Sequence, residues 1–221
     1  MTFDDAPERS LGRLHVLVDS LIVAEAALEG GAPTLQVRIK TGSDAERLRL
    51  SEAIAARCRA AGATCLVNDR ADVALAVGAD GVHVGADDLP VVTVRRLVGP
   101  DLFVGGTARD PETGRRLVGE GASYLGVGPT FATRSKTGLP EPIGVAGVRA
   151  VASAVSIPVI AIAGISAQRV DEVIAAGAWG VAVIGAVSDA PDPHSATHEM
   201  MLAVAKAVEA QTANLRHLET P

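Results

Sequence analysis

The chain has 221 residues, 48% of them hydrophobic and only 2% aromatic, with a formal net charge of -6. That length holds one medium domain or one whole α/β barrel, its core built from Ala, Val, Leu and Ile. The acidic balance excludes a general nucleic-acid binder. The most apolar stretch, Val151 to Ile165, is too short to span a bilayer and is broken by Pro158 and Gly164.

In chain order, short apolar runs alternate with longer amphipathic segments. Runs at 14–18, 34–39, 64–68, 81–84, 102–104, 123–127, 158–162 and 180–184 predict strands. Segments near 21–30, 44–61, 71–77, 89–97, 111–120, 144–154, 167–176 and 195–210 predict helices. Gly62-Ala63, Gly78-Ala79, Gly121-Ala122 and Gly177-Ala178 read as helix C-caps that turn directly into the next strand. Eight successive βα units describe a single-domain α/β fold, the closed (β/α)8 TIM barrel. An open doubly wound sheet would want a Gly-x-Gly-x-x-Gly turn after the first strand, where Asp19-Ser20 stands instead. The barrel is expected over residues 12–210, with a mobile N-terminal tail over 1–11 and a polar C-terminal tail over 211–221. The start, Met1-Thr2-Phe3-Asp4-Asp5, lacks a basic-then-apolar leader pattern. Cys58 and Cys65 have no Cys/His group beside them, so they read as reduced structural thiols in a cytoplasmic setting rather than zinc ligands.

The segment Gln36-Val37-Arg38-Ile39-Lys40 alternates strictly, which places Gln36, Arg38 and Lys40 on one face of the second strand. Two cations on the inner side of a buried sheet are costly without counter-charge, so they predict an anionic ligand; pairing with buried carboxylates is the competing structural reading. The third strand ends in Asn68-Asp69, and Asp87-Asp88 follows the fourth. On adjacent strands of a barrel, Asp69 and Asp88 share one rim and can hold Mg2+ through oxygen. Against this, Asp88 could cap the next helix, and Asp69 could pair with Arg70 or cap the helix after it.

His83, on the face of Gly81 and Gly85, reads as pocket wall rather than base. The loop from Gly128 to Ile143 is long, follows the sixth strand and carries Thr133, Ser135 and Lys136, so it is expected to act as a lid on the active rim. Gly164 after the seventh strand and Gly185 after the eighth stand where this barrel builds its phosphate cradle. The rim therefore offers two anion sites, one of which suits pyrophosphate with magnesium and the other a monophosphate. No Ser-His-Asp or Cys-His arrangement is visible, so leaving-group departure and electrostatics are expected to drive the chemistry.

From residue 13 to 205 the chain resembles the thiamine phosphate synthase (thiamine-phosphate pyrophosphorylase) family. The resemblance is carried by Gln36-x-Arg38-x-Lys40, Val67-Asn68-Asp69, Gly81-Val82-His83-Val84-Gly85 with Asp88, Thr107, Gly128-Pro129 with Thr133-x-Ser135-Lys136, and Ala163-Gly164-Ile165. It implies coupling of hydroxymethylpyrimidine diphosphate to a thiazole phosphate with release of pyrophosphate. By analogy Gln36, Asn68 and His83 hold the pyrimidine. Arg38, Lys40, Thr107 and Lys136 hold the diphosphate, with Asp69 and Asp88 on magnesium. Thr133, Ser135, Gly164, Ile184 and Gly185 receive the thiazole phosphate. The chain departs from the family pattern at Ile39, Ala86, Ala163 and Gly185; the last removes a frequent serine hydroxyl. Two alternatives stand beside this reading. One is a thiazole tautomerase-like enzyme, whose catalytic histidine would fall at Arg109; the other is a non-catalytic paralogue that binds a thiamine precursor. The expected partners are small molecules, not nucleic acid or membrane, and a homo-oligomer is left open.

Overall fold

A computed structural model of the chain describes residues 10–135 and 138–218, with side chains to residue 213. Its strands are β1 (Leu14–Val18), β2 (Thr34–Val37), β3 (Thr64–Asn68), β4 (Gly81–Val84), β5 (Phe103–Ala108), β6 (Tyr124–Val127), β7 (Val159–Ile162) and β8 (Gly180–Val183). They pair in parallel in sequence order, and β8 pairs back onto β1, which closes the barrel. The helices are α1 (Leu21–Glu29), α2 (Asp44–Ala61), α3 (Ala71–Val77), α4 (Val91–Val98), α5 (Pro111–Gly119), α6 (Gly144–Ala152), α7 (Val170–Ala175), α8 (Gly185–Ser188) and α9 (Pro193–Leu218).

Local chemistry accounts for the boundaries. Ser43 and Glu46 form a reciprocal capping box at the start of α2. Asp110 caps α5, with Pro111 in the first helical position. Gly62 and Gly78 take left-handed backbone at φ 68° and 62°, and the alanine after each donates its N–H back into the helix it leaves.

Alternation along the strands divides the interior in two. Outward residues such as Leu35, Val82 and Val104 pack under the helices in the larger apolar cluster. Leu17, Leu66, Tyr124, Ile160 and Ala182 fill the barrel. Above them, toward the C-terminal ends of the strands, the inward positions turn polar.

Besides shifts of one to three residues at other element ends, four departures from expectation stand out. Strand β2 stops at Val37, so Arg38 and Lys40 stand on the rim beyond it rather than inside the sheet. Strand β5, expected over 102–104, runs on to Ala108 through Gly105-Gly106, and Gly105 is a packing requirement: a Cβ there would lie 2.2 Å from Tyr124 Cζ and 2.4 Å from His83 Nδ1. The one-turn helix α8 carries no periodicity from which to predict it. Helix α9 starts at Pro193, capped by Asp192, and runs to Leu218 through most of the segment read as a tail; Gln211 ties it to the Ile174 carbonyl. Of the expected N-terminal tail, only Ser10 and Leu11 are among the described residues.

Candidate active site

The C-terminal mouth of the barrel opens into a cavity of about 630 Å³, in the range of small-molecule sites. Gln36, Arg38 and Lys40, Asn68 and Asp69, His83 and Asp88, Thr107, Thr133 and Ser135, and Gly164, Ile184 and Gly185 all line it. Lys136 lies outside the described residues.

At the deep end, His83 is held between two hydroxyls. Its Nδ1 is 3.1 Å from Tyr124 Oη and its Nε2 is 3.1 Å from Thr107 Oγ1. Burial lowers its pKa to about 4 despite the nearby charge of Asp69, so it is neutral. Gln36 Nε2 lies 3.5 Å from the same Tyr124 hydroxyl. Glycines 105 and 126 make the room: a Cβ at Gly126 would come 2.9 Å from His83 Cε1.

On the rim, the structural readings of the two aspartates are not realised. Arg70 pairs with Asp44 and Asp72, not with Asp69. Neither α3 nor α4 has a side-chain cap; Arg70 and Pro90 stand at those positions. Asp69 instead meets the ammonium of Lys40, and its own backbone is left-handed at φ 67°. Asp88 Oδ2 accepts the Gly85 N–H at 2.7 Å. The two carboxyls also interact with each other. Burial opposes charge on Asp69, but the hydrogen bond to Asp88 and the ammonium of Lys40 hold its carboxyl below the usual range. Burial and the same hydrogen bond push Asp88 upward. Two carboxyls that compete for one negative charge are a donor set suited to a hard divalent cation, which would relieve the repulsion. No group of three or more His, Cys, Asp or Glu side chains placed to hold a metal ion occurs among the described residues. A cation here would therefore draw its remaining ligands from water or phosphate, as magnesium does.

Arg38 makes no side-chain hydrogen bond among the described residues, and its charge faces Asp69. Across the mouth, the loop between β6 and α6 forms a wall. Thr133 Oγ1 accepts the Ser135 N–H at 3.2 Å. Gly164, at φ 68°, lies so close to the loop that a Cβ would meet the Ala132 carbonyl at 2.6 Å. Arg169 clamps this junction by donating to the Gly164 carbonyl at 3.0 Å and stacking on Phe131.

Three groups at the site lie outside the expected site residues, Arg109 having entered only as the place of the tautomerase histidine. Tyr124 was legible: it alternates with Gly126 on the inner face of β6. Arg109 lies two residues past Thr107, lines the cavity and donates to the Glu141 carbonyl at 2.6 Å. Asp189 carried no signal, because it follows the unforeseen helix α8. Its Oδ2 lies 2.4 Å from where a Cβ on Gly185 would be, so it occupies space that a serine side chain there would need.

The family model described as thiamine monophosphate synthase matches residues 14–187. A thiamine-phosphate synthase of Salinispora arenicola is 52% identical over 197 residues, covering 85% of this chain and 95% of that protein. One from Moorella thermoacetica is 45% identical over 188 residues, covering 85% and 90%. Among solved structures, the thiamine phosphate pyrophosphorylase from Pyrococcus furiosus superposes with a TM-score of 0.82 at 36% identity, covering 88% of this chain and 96% of its own. Barrel, rim residues and relatives agree: the chain belongs to the thiamine monophosphate synthase family.

Proposed function

We propose that this chain joins hydroxymethylpyrimidine diphosphate to hydroxyethylthiazole phosphate, forming thiamine phosphate and releasing pyrophosphate. The observation that carries the reading is the Asp69–Asp88 carboxyl pair beside Arg38 and Lys40, on the same cavity as the polar end formed by Gln36, Asn68 and His83. Gln36 and Asn68 meet the pyrimidine. Arg38 and Lys40 receive the diphosphate; Thr107, assigned to it by resemblance, donates its hydroxyl proton to the Val84 carbonyl and so has none for the anion. Asp69 and Asp88 hold Mg2+, which when bound supplies positive charge against the leaving anion. Thr133, Ser135, Gly164, Ile184 and Gly185 take the thiazole phosphate. Lys136 keeps its role on the diphosphate by resemblance alone.

The chemistry follows from what the cavity offers. His83 is neutral and engaged on both nitrogens, so this ring does not stand ready to activate a hydroxyl nucleophile. Arg38 and Lys40 neutralise charge that builds on the diphosphate as its C–O bond breaks, and the thiazole nitrogen then attacks the pyrimidine carbon. The loop wall keeps water from competing for that carbon.

No helix among the described residues is long and apolar enough to cross a membrane. The free, buried thiols of Cys58 and Cys65 support a cytoplasmic setting.

The test is pyrophosphate release by the purified protein with Mg2+. Release and thiamine phosphate formation should need both substrates together. Binding without turnover would favour a sensor. Isomerisation of a thiazole phosphate without pyrophosphate chemistry would favour the tautomerase alternative.

A further inference from the structure

Four hydrogen bonds in the barrel mouth form a line whose direction is set at its last member. It runs from Gln36 to Tyr124 at 3.5 Å, from Tyr124 to His83 at 3.1 Å, from His83 to Thr107 at 3.1 Å, and from Thr107 Oγ1 to the Val84 carbonyl at 3.4 Å. The last member decides the rest. A backbone carbonyl only accepts, so Thr107 spends its one proton on Val84 and must accept from His83. His83 then carries its proton on Nε2, and its Nδ1 accepts. Tyr124 gives its single proton to Nδ1, so its oxygen is left to accept from the Gln36 amide nitrogen. Gln36 is nearly buried at 4% exposure and lines the cavity, and its Oε1 receives no hydrogen bond among the described residues.

We propose that Tyr124 is a positioning residue that fixes His83 as the Nε2–H tautomer and turns the Gln36 carboxamide oxygen toward the cavity, so that the deep end of the pocket selects a ring bearing an exocyclic amine over one bearing a carbonyl oxygen in the same place. The selection rests on the pyrimidine reading above; the direction of the chain does not. Run the other way, the same four side chains would present the Gln36 NH2 group and select the carbonyl.

The chain direction is read by long-range 1H–15N spectra of histidine-labelled protein, with the His83 signals assigned by their loss in His83→Gln. The expected result is a neutral ring protonated on Nε2. In Gln36→Glu, read at a pH that ionises the new carboxyl, the carboxylate only accepts, so it draws the Tyr124 proton and His83 flips to Nδ1–H. Nδ1–H in the unmodified protein, or no flip in Gln36→Glu, overturns the proposal whatever the enzyme turns over. Specificity is read by titrating the 4-amino pyrimidine diphosphate and its 4-oxo counterpart. The unmodified protein should favour the amine by about 100-fold or more, because a mismatched ring leaves a buried acceptor facing an acceptor. Tyr124→Phe should cut that ratio at least about tenfold, since the amide is then free to turn. A ratio unchanged in Tyr124→Phe overturns the positioning role. A protein that binds neither compound overturns the pyrimidine reading and the selection with it, while the tautomer spectrum still decides the chain.

Discussion

Asp88 and Asp69 face each other as carboxyls that cannot both hold a full charge cheaply, and Lys40 pairs directly with Asp69 alone while its charge reaches both. Replacing either by asparagine keeps the shape and removes the charge. Asp69→Asn or Asp88→Asn should lower turnover by about 100-fold or more and raise the magnesium needed for the remainder. Assay against Mg2+ concentration checks this; full activity with metal chelated would reject it. The pair also sets a pH dependence. Asp88 has its carboxyl pushed up, so it takes a proton before an ordinary aspartate as pH falls, and cation affinity should fall with it. Mn2+ titrations followed by paramagnetic resonance at neutral and mildly acidic pH should show weaker binding in acid, and the difference should shrink in Asp88→Asn. Asp189 acts at the other end of the cavity. It sets a carboxylate beside Gly185, where a phosphate would want donors. Asp189→Asn should lower KM for the thiazole phosphate about two- to fivefold, the small effect expected of an exposed and screened charge, with kcat unchanged. An unchanged or higher KM would mean that the phosphate sits elsewhere.

At the level of elements, what was legible followed from period and punctuation. Strand β1 and helix α2 have the bounds that their apolar periods and caps announce, because each satisfies its own local rules. Strand β5 broke those rules. The expected run stops before its two glycines, yet Gly105 is small because Tyr124 and His83, from neighbouring strands, fill the place of its side chain. No local window holds that information. Arg38 and Lys40, singled out by alternation, line the cavity, but alternation overran the strand: the charges pass the end of β2 and escape the burial that made them look costly. The aspartates were legible as a rim pair only once the strands were counted, and Asp189 was not legible at all. Gly105→Ala tests the packing account of β5. With a methyl group 2.2 Å from one ring and 2.4 Å from another, the barrel must shift or the rings must move. The variant should lose about 2 kcal/mol or more in urea unfolding, and the paired His83 and Tyr124 signals should be disturbed. A variant as stable as the parent would show that the mouth is looser than its contacts indicate.

Among the described residues the barrel as a whole holds His15 and His83 buried in its interior, and both resist protonation while it is folded. Burial lowers His15 to about 3, against the hydrogen bond from its ring to the Gly12 carbonyl, and lowers His83 to about 4. Unfolding returns both to the ordinary value of 6.5, so between those values the unfolded chain binds more protons than the native one. The sign follows directly: the contribution to stability is present in full above pH 6.5 and is lost progressively as pH falls toward about 4 for His83 and lower for His15. For His83 alone the loss is on the order of 3 kcal/mol. Surface carboxylates add their own acid dependence, so the histidine part must be isolated by difference. Urea midpoints measured for the parent and His83→Gln at about pH 7 and about pH 4.5 separate them, because glutamine can replace one of the ring's hydrogen bonds but takes up no proton in this range. The parent should lose more stability than the variant over that interval. If the two curves fall in parallel, the buried ring is not what couples this barrel to pH, and the slope belongs to the carboxylates.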